Sequence, residues 1–257
     1  MGRDKASLVV GVDGITQAQR GADLLGKFCE RTFVSLRDGQ TAPEGAQGIE
    51  VLVDSQLAQG PLSGILAAFQ KAPEAAWLVL ACDLPFVCEQ VLSHLIAHRK
   101  TNDASPFVAF ASSSDGLPEP LCAIYEPSAR AVLERHAARG HFCPRHILIE
   151  EMADLIALPK GATDALTNLN TPQDLEEAGG FPIHLSWFGH LSERRGLRDE
   201  TIRTKTRTAG ALLHELSQRH GLDLSTTRLA VNDEFASGDQ PISPHDKIAL
   251  LPPFSGG

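Results

Sequence analysis

Hydrophobic and polar positions follow two regimes along this chain, and the change comes at Leu175-Glu176-Glu177-Ala178-Gly179-Gly180, a polar stretch closed by two glycines. Before it, short apolar runs alternate with segments of helical spacing. The pattern predicts strands over 31–36 and 49–53, a helix over 63–71 and a strand over 77–81. Trp77-Leu78-Val79-Leu80-Ala81 is continuously apolar, as expected of a strand buried on both faces. A helix over 89–99, strands over 106–111 and 121–125, and helices over 127–139 and 172–177 follow. Alternation of this kind predicts an α/β fold with a mostly parallel, Rossmann-like sheet covered by helices on both faces.

After the break the elements shorten. Ile183 to Phe188 and Thr201 to Thr204 read as strands, the second a polar edge. Ala209, Leu212, Leu213 and Leu216 recur at helical spacing between Thr208, a candidate N-cap, and Gly221, a candidate stop. Leu229-Ala230-Val231, an Asn232-Asp233 turn and a strand from Lys247 to Leu251 complete a small ubiquitin-like α+β roll. The expected division is residues 1–178 and 181–257.

The sequence ends in Pro252-Pro253-Phe254-Ser255-Gly256-Gly257. Without Cβ atoms, two glycines can lie extended in a channel too narrow for other residues, presenting a carboxylate at the tip. Frayed glycine ends are also common, so the tail alone leaves both readings open.

Charge narrows the partners. Residues 181–257 carry nine Lys/Arg and nine Asp/Glu, so the formal net charge of −9 belongs entirely to the 14 basic and 23 acidic residues before them. That balance argues against nonspecific nucleic-acid binding. No apolar run reaches membrane-spanning length and no secretory signal opens the chain, so neither a membrane nor export is expected. Cys29, Cys82, Cys88, Cys122 and Cys143 form no Cys-x-x-Cys pair, which fits a reducing cytoplasm.

Candidate chemistry clusters at strand ends, where open α/β sheets bind ligands. Asp83, in Ala81-Cys82-Asp83-Leu84-Pro85, follows the most apolar strand. Asp54 follows Glu50-Val51-Leu52-Val53 and leads into Gly60-Pro61-Leu62-Ser63-Gly64-Ile65, a glycine-bounded helix start. A strand-end carboxylate can hold Mg²⁺, and a glycine-rich helix start lets backbone N–H groups approach a phosphate. Each has a plainer alternative. Asp83 equally fits a turn cap before Pro85, and Gly60-Pro61 ordinary loop punctuation.

Trp187-Phe188-Gly189-His190-Leu191, Val231-Asn232-Asp233-Glu234, His245-Asp246-Lys247-Ile248-Ala249-Leu250-Leu251 and the Gly-Gly ending stand together in residues 181–257. With them this segment resembles the small, sulfur-carrying subunit of molybdopterin synthase. The resemblance implies a β-grasp carrier with no catalytic side chain of its own. An adenylating enzyme would activate the Gly257 carboxylate, a sulfur donor would convert it to a thiocarboxylate, and the large synthase subunit would use that sulfur to build molybdopterin. A carrier for thiamine or tRNA thiolation is the rival.

Residues 1–178 carry, in order, Met1-Gly2-Arg3-Asp4-Lys5-Ala6, Asp54-Ser55, Gly60 to Ile65, Asp83-Leu84-Pro85, Glu119-Pro120-Leu121-Cys122-Ala123-Ile124-Tyr125 and Asn168-Leu169-Asn170-Thr171-Pro172. In these stretches the segment resembles the molybdenum cofactor guanylyltransferases. The resemblance implies transfer of GMP from GTP to the terminal phosphate of molybdopterin. In it Lys5 neutralises the triphosphate, Asp83 holds Mg²⁺, Asp54 contacts the nucleoside, Gly60, Pro61, Leu62 and Gly64 shape the nucleotide pocket, and Asn168 and Asn170 face the pterin. Cytidylyl transfer, another phosphorylated acceptor, or a non-catalytic scaffold remain alternatives. In that family a first strand and a Leu-x-Gly-Gly-x-Ser loop precede the Met-Gly-Arg-Asp-Lys motif, which here opens the sequence. The expectation is an upstream start; the rival is loss of that loop, with weak GTP binding. Ser35-Leu36-Arg37 departs from asparagines that some members carry near the base. Arg145, after the Gly140-His141 turn, is read as a solvated arginine rather than a phosphate ligand.

Overall fold

The computed structural model describes residues 16–43, 46, 48–100, 105–112, 115–160, 162, 164–169, 174 and 180–253. They fall into two compact units, within 16–168 and 169–253, each with its own core.

The first unit opens with α1 (Gln17–Gly26), capped by Thr16, whose hydroxyl accepts from the Gln19 N–H at 3.3 Å. β1 (Phe33–Leu36) and β2 (Glu50–Val53) pair in parallel, from Phe33 opposite Glu50 to Leu36 opposite Val53. α2 (Pro61–Lys71) starts with proline at its first turn, where the missing N–H costs nothing, after Gly60 at φ +64°. β3 (Trp77–Leu80), α3 (Glu89–Arg99), β4 (Phe107–Ala111) and β5 (Pro118–Tyr125) follow. α4 (Ala129–Ala138), α5 (Pro144–Glu150) and β6 (Asp154–Ile156) complete the unit.

The larger sheet has the order β3-β5-β4-β6. β5 is antiparallel to β3 and β4, and β6 is parallel to β4, so β3, β4 and β6 run one way and β5 alone is reversed. The expected mostly parallel α/β sheet is therefore present with one inverted strand. The doubly buried strands are β4 and β5, not β3. Every residue of β3 is only half-buried, because it has a single neighbour, β5, among the described strands. Helices cover both faces. Leu62, Leu66 and Phe69 of α2 join Leu133 of α4 and Ile147 and Leu148 of α5 in one cluster, while Val91, Leu92 and Leu95 of α3 join Val108 and Phe110 in the other. Truncating one such leucine to alanine costs about 2–5 kcal/mol. An exposed pair such as Lys27–Glu89, at 2.7 Å, contributes about 1 kcal/mol at most, so packing decides the fold.

A register shift falls between Ala109 and Phe110, where β5 advances from Ala123 to Glu119. The extra residues are braced from within, since the buried Tyr125 hydroxyl donates to the Pro120 carbonyl at 2.9 Å.

The second unit comprises β7 (Phe181–Trp187), α6 (His190–Arg195), β8 (Asp199–Thr204), α7 (Ala209–His220), β9 (Arg228–Val231), β10 (Glu234–Phe235) and β11 (Lys247–Leu251). Its five-stranded order, β10-β9-β11-β7-β8, places the parallel pair β11–β7 at the centre with antiparallel strands outside. Phe181, Ile183, Leu185 and Trp187 alternate inward along β7 and are fully buried or nearly so, as are Leu212 and Leu216 of α7. Thr208 caps α7, accepting from the Ala211 N–H, and Gly221 ends it at φ +63°, as the sequence predicts. The expected β-grasp roll is present. The expected helix over 172–177 lies almost wholly outside the described residues. No helix among the described residues is long and apolar enough to cross a membrane.

Gly180 sets the entry into β7. At φ +96°, a Cβ there would collide with the Thr204 carbonyl oxygen of the neighbouring strand. Gly180→Ala is expected to destabilise the second unit by about 2–4 kcal/mol, combining positive-φ strain with a backbone clash. Urea titration followed through Trp187 fluorescence in a Trp77→Phe background checks this, and an unchanged midpoint contradicts it.

Candidate functional site

Two strand ends in the first unit carry the residues singled out above. At the end of β2, the Asp54 N–H donates to the Leu36 carbonyl at 2.8 Å, which pins Asp54 beside the end of β1. The Ser35 hydroxyl donates to Asp54 Oδ1 at 2.6 Å. The Ser63 hydroxyl stands 3.1 Å from Asp54 Oδ2 and 2.5 Å from the Gly60 carbonyl oxygen. Ser63 has one proton, which these two acceptors share. The following loop is tied down as well: Ser55 N–H donates to the Ser63 carbonyl at 3.0 Å, and Gln70 Nε2 donates to Ser55 Oγ at 3.0 Å.

Gly64 makes this arrangement possible. A Cβ at that position would lie far inside van der Waals contact with Ser35 Oγ, and 3.3 Å from Asp54 Oδ1. Gly60 and Pro61 are exposed at the start of α2, open to a ligand. Leu62 is not: its side chain is completely buried in the core. Its side chain anchors α2, so any part Leu62 takes in a pocket falls to its backbone at the helix start.

Asp83 lies three residues beyond β3, in the turn where Leu84 N–H donates to the Ala81 carbonyl at 3.3 Å. Leu84 and Phe86 are buried beside it, and Asp83 itself is half-buried. Asn168 is exposed. Lys5, Asn170 and Gly257 lie outside the described residues.

Other motif residues prove to be architectural. Glu119 is buried; its Oε1 accepts from the Leu121 N–H at 3.1 Å and its Oε2 from Arg145 at 3.2 Å. Arg145 also pairs with Asp115 at 3.1 Å. Arg145 is therefore a paired rather than a freely solvated cation, held by two carboxylates. A shallow polar depression lined by Gln19, Asp23, Arg31 and Glu50 contains none of the predicted site residues.

In the second unit the exit of the tail is defined by β11. Phe188 N–H donates to the Leu250 carbonyl at 3.1 Å, and Gly189, at φ +54°, would place a Cβ 3.1 Å from Pro252 Cγ. The glycine of the Trp-Phe-Gly motif thus makes room for the first proline of the tail. Asn232 and Asp233 both have positive φ, at 51° and 71°, the geometry of a tight hairpin turn. Asn232 Nδ2 donates to Asp246 Oδ1 at 2.9 Å and Asn232 Oδ1 accepts from the Lys247 N–H at 3.0 Å, clamping the start of β11.

Sequence reasoning missed Ser35 and Ser63 as the partners of Asp54. The signal was available: Ser35 is the polar position of β1, and Ser63 lies between the two glycines of the helix start. Gly64→Ala is expected to destabilise the first unit by about 1–3 kcal/mol, the usual cost of overpacking, and Ser35→Gly in the same chain should recover most of it. Chemical denaturation of the single and double variants checks the coupling, and additive losses contradict it.

Comparison with known proteins follows this geometry. The MobA-like NTP transferase domain family matches residues 1–155, and the ThiS family matches residues 185–257. A molybdenum cofactor biosynthesis bifunctional protein of Synechocystis sp. is 33% identical over 174 residues, covering 68% of this chain and 48% of that protein. The chain thus spans about half the length of that relative. A probable molybdenum cofactor guanylyltransferase of Pelotomaculum thermopropionicum is 30% identical, covering 69% of this chain and 85% of the relative. The crystal structure of molybdopterin-guanine dinucleotide biosynthesis protein A from Archaeoglobus fulgidus superposes with a TM-score of 0.53 at 26% identity, over 69% of this chain and 89% of that one. The chain belongs to the MobA-like nucleotidyltransferase family, and its residues 185–257 match the ThiS family.

Proposed function

We propose that this chain serves molybdenum cofactor biosynthesis in the cytoplasm through two activities: guanylyl transfer from GTP to molybdopterin in residues 1–178 and sulfur carriage in residues 181–257. The observation that carries this reading is the presence, in one chain, of a MobA-like domain and a ThiS-family domain. The names borne by the relatives, guanylyltransferase and bifunctional cofactor biosynthesis protein, point to the same pathway.

In the transfer reaction an oxygen of the terminal phosphate of molybdopterin attacks the α-phosphorus of GTP. A new phosphorus–oxygen bond forms as the bond to the β-phosphate oxygen breaks, and pyrophosphate leaves. No protein nucleophile is needed, so the burden falls on positioning and charge. Asp54 is held by Ser35, Ser63 and the β1 end, and its carboxylate oxygens have more lone pairs than these donors use. That suits a hydroxyl or N–H of the nucleoside. Gly60 and Pro61 leave the first turn of α2 open to the nucleotide. Lys5 would face the departing pyrophosphate, and Asn168 and Asn170 the pterin.

Asp83 offers a half-buried carboxylate, a hard oxygen donor of the kind Mg²⁺ takes together with substrate phosphates. The residues fit that ion, and Asp83 would hold it. When bound, Mg²⁺ supplies neutralisation of the triphosphate charge.

In the second unit the chemistry would reside in the Gly257 carboxylate, with no side chain taking part. An adenylating enzyme transfers AMP from ATP to it, releasing pyrophosphate; a sulfur donor then displaces AMP to leave a thiocarboxylate. Delivery would be to the large subunit of molybdopterin synthase. The Gly189–Pro252 contact supports this by fixing where the tail leaves the β-grasp domain.

Asp83→Asn keeps the side-chain shape and removes the charge. It is expected to lower guanylyl transfer, in a chain competent for it, by about a hundredfold or more. Measuring pyrophosphate release with GTP and with CTP checks both the residue and the nucleotide, and near-normal turnover contradicts the role of Asp83. For the carrier, adding one residue after Gly257 should abolish thiocarboxylate formation without altering the fold. Intact-mass spectrometry after incubation with an activating enzyme, ATP and a sulfur donor reads the sulfur-for-oxygen mass gain. If the same gain appears in the extended chain, sulfur uptake does not depend on Gly257 being the terminus and the carrier reading fails.

A further inference from the structure

Helix α4 ends in a way that brings two histidines together. Gly140, at φ +77°, is the left-handed residue of the turn. Its N–H donates to the Ala137 carbonyl at 2.9 Å, and the His141 N–H donates to the His136 carbonyl at 3.0 Å. This is the paired 5→2 and 6→1 hydrogen bonding of a Schellman turn, which folds the chain back over the last turn of the helix. His136 and His141 therefore face each other, with ring centroids 5.7 Å apart. Glu150, the last residue of α5, comes to the same place. One ligating atom from each of His136, His141 and Glu150 lies within 4.8 Å of the others.

His136 is the anchor. Its side chain is only 4% exposed, and its Nε2 is 2.8 Å from Glu151 Oε1. Arg135 also donates to that oxygen, at 2.8 Å. That carboxylate, itself held by Arg135, fixes the orientation of the His136 ring. Nδ1 is buried and makes no hydrogen bond; Glu150 Oε2 is 3.7 Å away, beyond hydrogen-bond reach. An orphaned buried nitrogen is rare in a folded protein and calls for a ligand. Metal-binding histidines are commonly fixed in this manner, one nitrogen donating to a carboxylate and the other free to coordinate.

We propose that His136 Nδ1, an imidazole nitrogen of His141 and a carboxylate oxygen of Glu150 bind one divalent transition-metal ion of the Zn²⁺ class. Two imidazoles and one carboxylate are ligands that Zn²⁺ accepts, with a fourth position left for water. Bonds of about 2.0–2.2 Å to nitrogen and oxygen require donor atoms closer than those seen here, and the exposed side chains of His141 and Glu150 can rotate to close the gap. The site also stands at the C-terminal ends of α4 and α5, where helix dipoles favour a cation. Bound there, the ion would staple the two helix ends together.

The test is calorimetric titration of the full chain with Zn²⁺, in a Cys143→Ser background that removes the exposed thiol. One equivalent should bind, and His141→Ala and Glu150→Gln should each weaken it at least about tenfold. Glu151→Gln, which loosens the His136 ring without removing a ligand, should weaken it by about tenfold as well. Because His136 is buried and its loss can unfold the helix end, the changes at exposed His141 and Glu150 carry the test, with Glu151→Gln beside them. Co²⁺ in place of Zn²⁺ should give a visible spectrum of nitrogen and oxygen coordination. The proposal is overturned if no equivalent binds, if both His141→Ala and Glu150→Gln leave affinity unchanged, or if the Co²⁺ spectrum shows thiolate ligation.

Discussion

The first unit depends on how closely α2 can approach the end of β1. Gly64 faces Ser35 and Asp54 with no side chain between them, so helix and strand meet at a distance no other residue allows. From that contact two things follow. Leu62, Leu66 and Phe69 are pressed into the core that α4 and α5 complete. On the other face of the same contact, Asp54 is held by Ser35 and Ser63 in one orientation. One missing Cβ thus ties the packing of the unit to the placement of its carboxylate. The contact between the rings of Phe33 and Trp77, at 5.5 Å, adds a second link between β1 and β3.

The second unit solves a different problem, because its tail must leave in a fixed direction with little bulk. The central parallel pair β7–β11 runs Leu250 up to Trp187, so the chain departs beside the Phe188–Gly189 turn. Asn232 and Asp246 clamp the other end of β11. Of the residues that carry the resemblance to sulfur carriers, the described ones build this strand and its exit. That is physically reasonable for a carrier. When the chemistry is confined to a terminal carboxylate, the domain contributes rigidity and shape, and its motif residues are those that fix a turn or make room for one.

Legibility in the sequence followed the strength of the local signal. α3 over Glu89–Arg99 and β11 over Lys247–Leu251 were readable to the residue, because clear turn signals bound them. Thr208 and Gly221 marked α7 by capping chemistry alone. α1 was not readable: apart from Leu24 and Leu25 it is polar or small, and it is held by Thr16 and by those leucines, with Phe28 just beyond, packing on the core. The short elements β6, α6 and β10 carry too few residues to display a period. β3 misled in burial, since a continuous apolar run reports the strand's composition and says nothing of how many neighbours it has.

The candidate site divides along the same line. Asp54 and Asp83 could be found because strand ends are where an α/β sheet binds ligands, a rule about topology that apolar runs reveal. Their partners could not, since Ser35 and Ser63 are ordinary polar residues until the fold aims their hydroxyls at a carboxylate. The same holds for His136, His141 and Glu150. The two histidines stand five positions apart, a spacing with no shared face on a straight helix. Only the reversal at Gly140 makes them neighbours, and only the approach of α5 adds the carboxylate. Ligand sets built across a helix end escape spacing rules for that reason. They are read from the turn that ends the helix, and a glycine one residue before a histidine is the sequence trace it leaves.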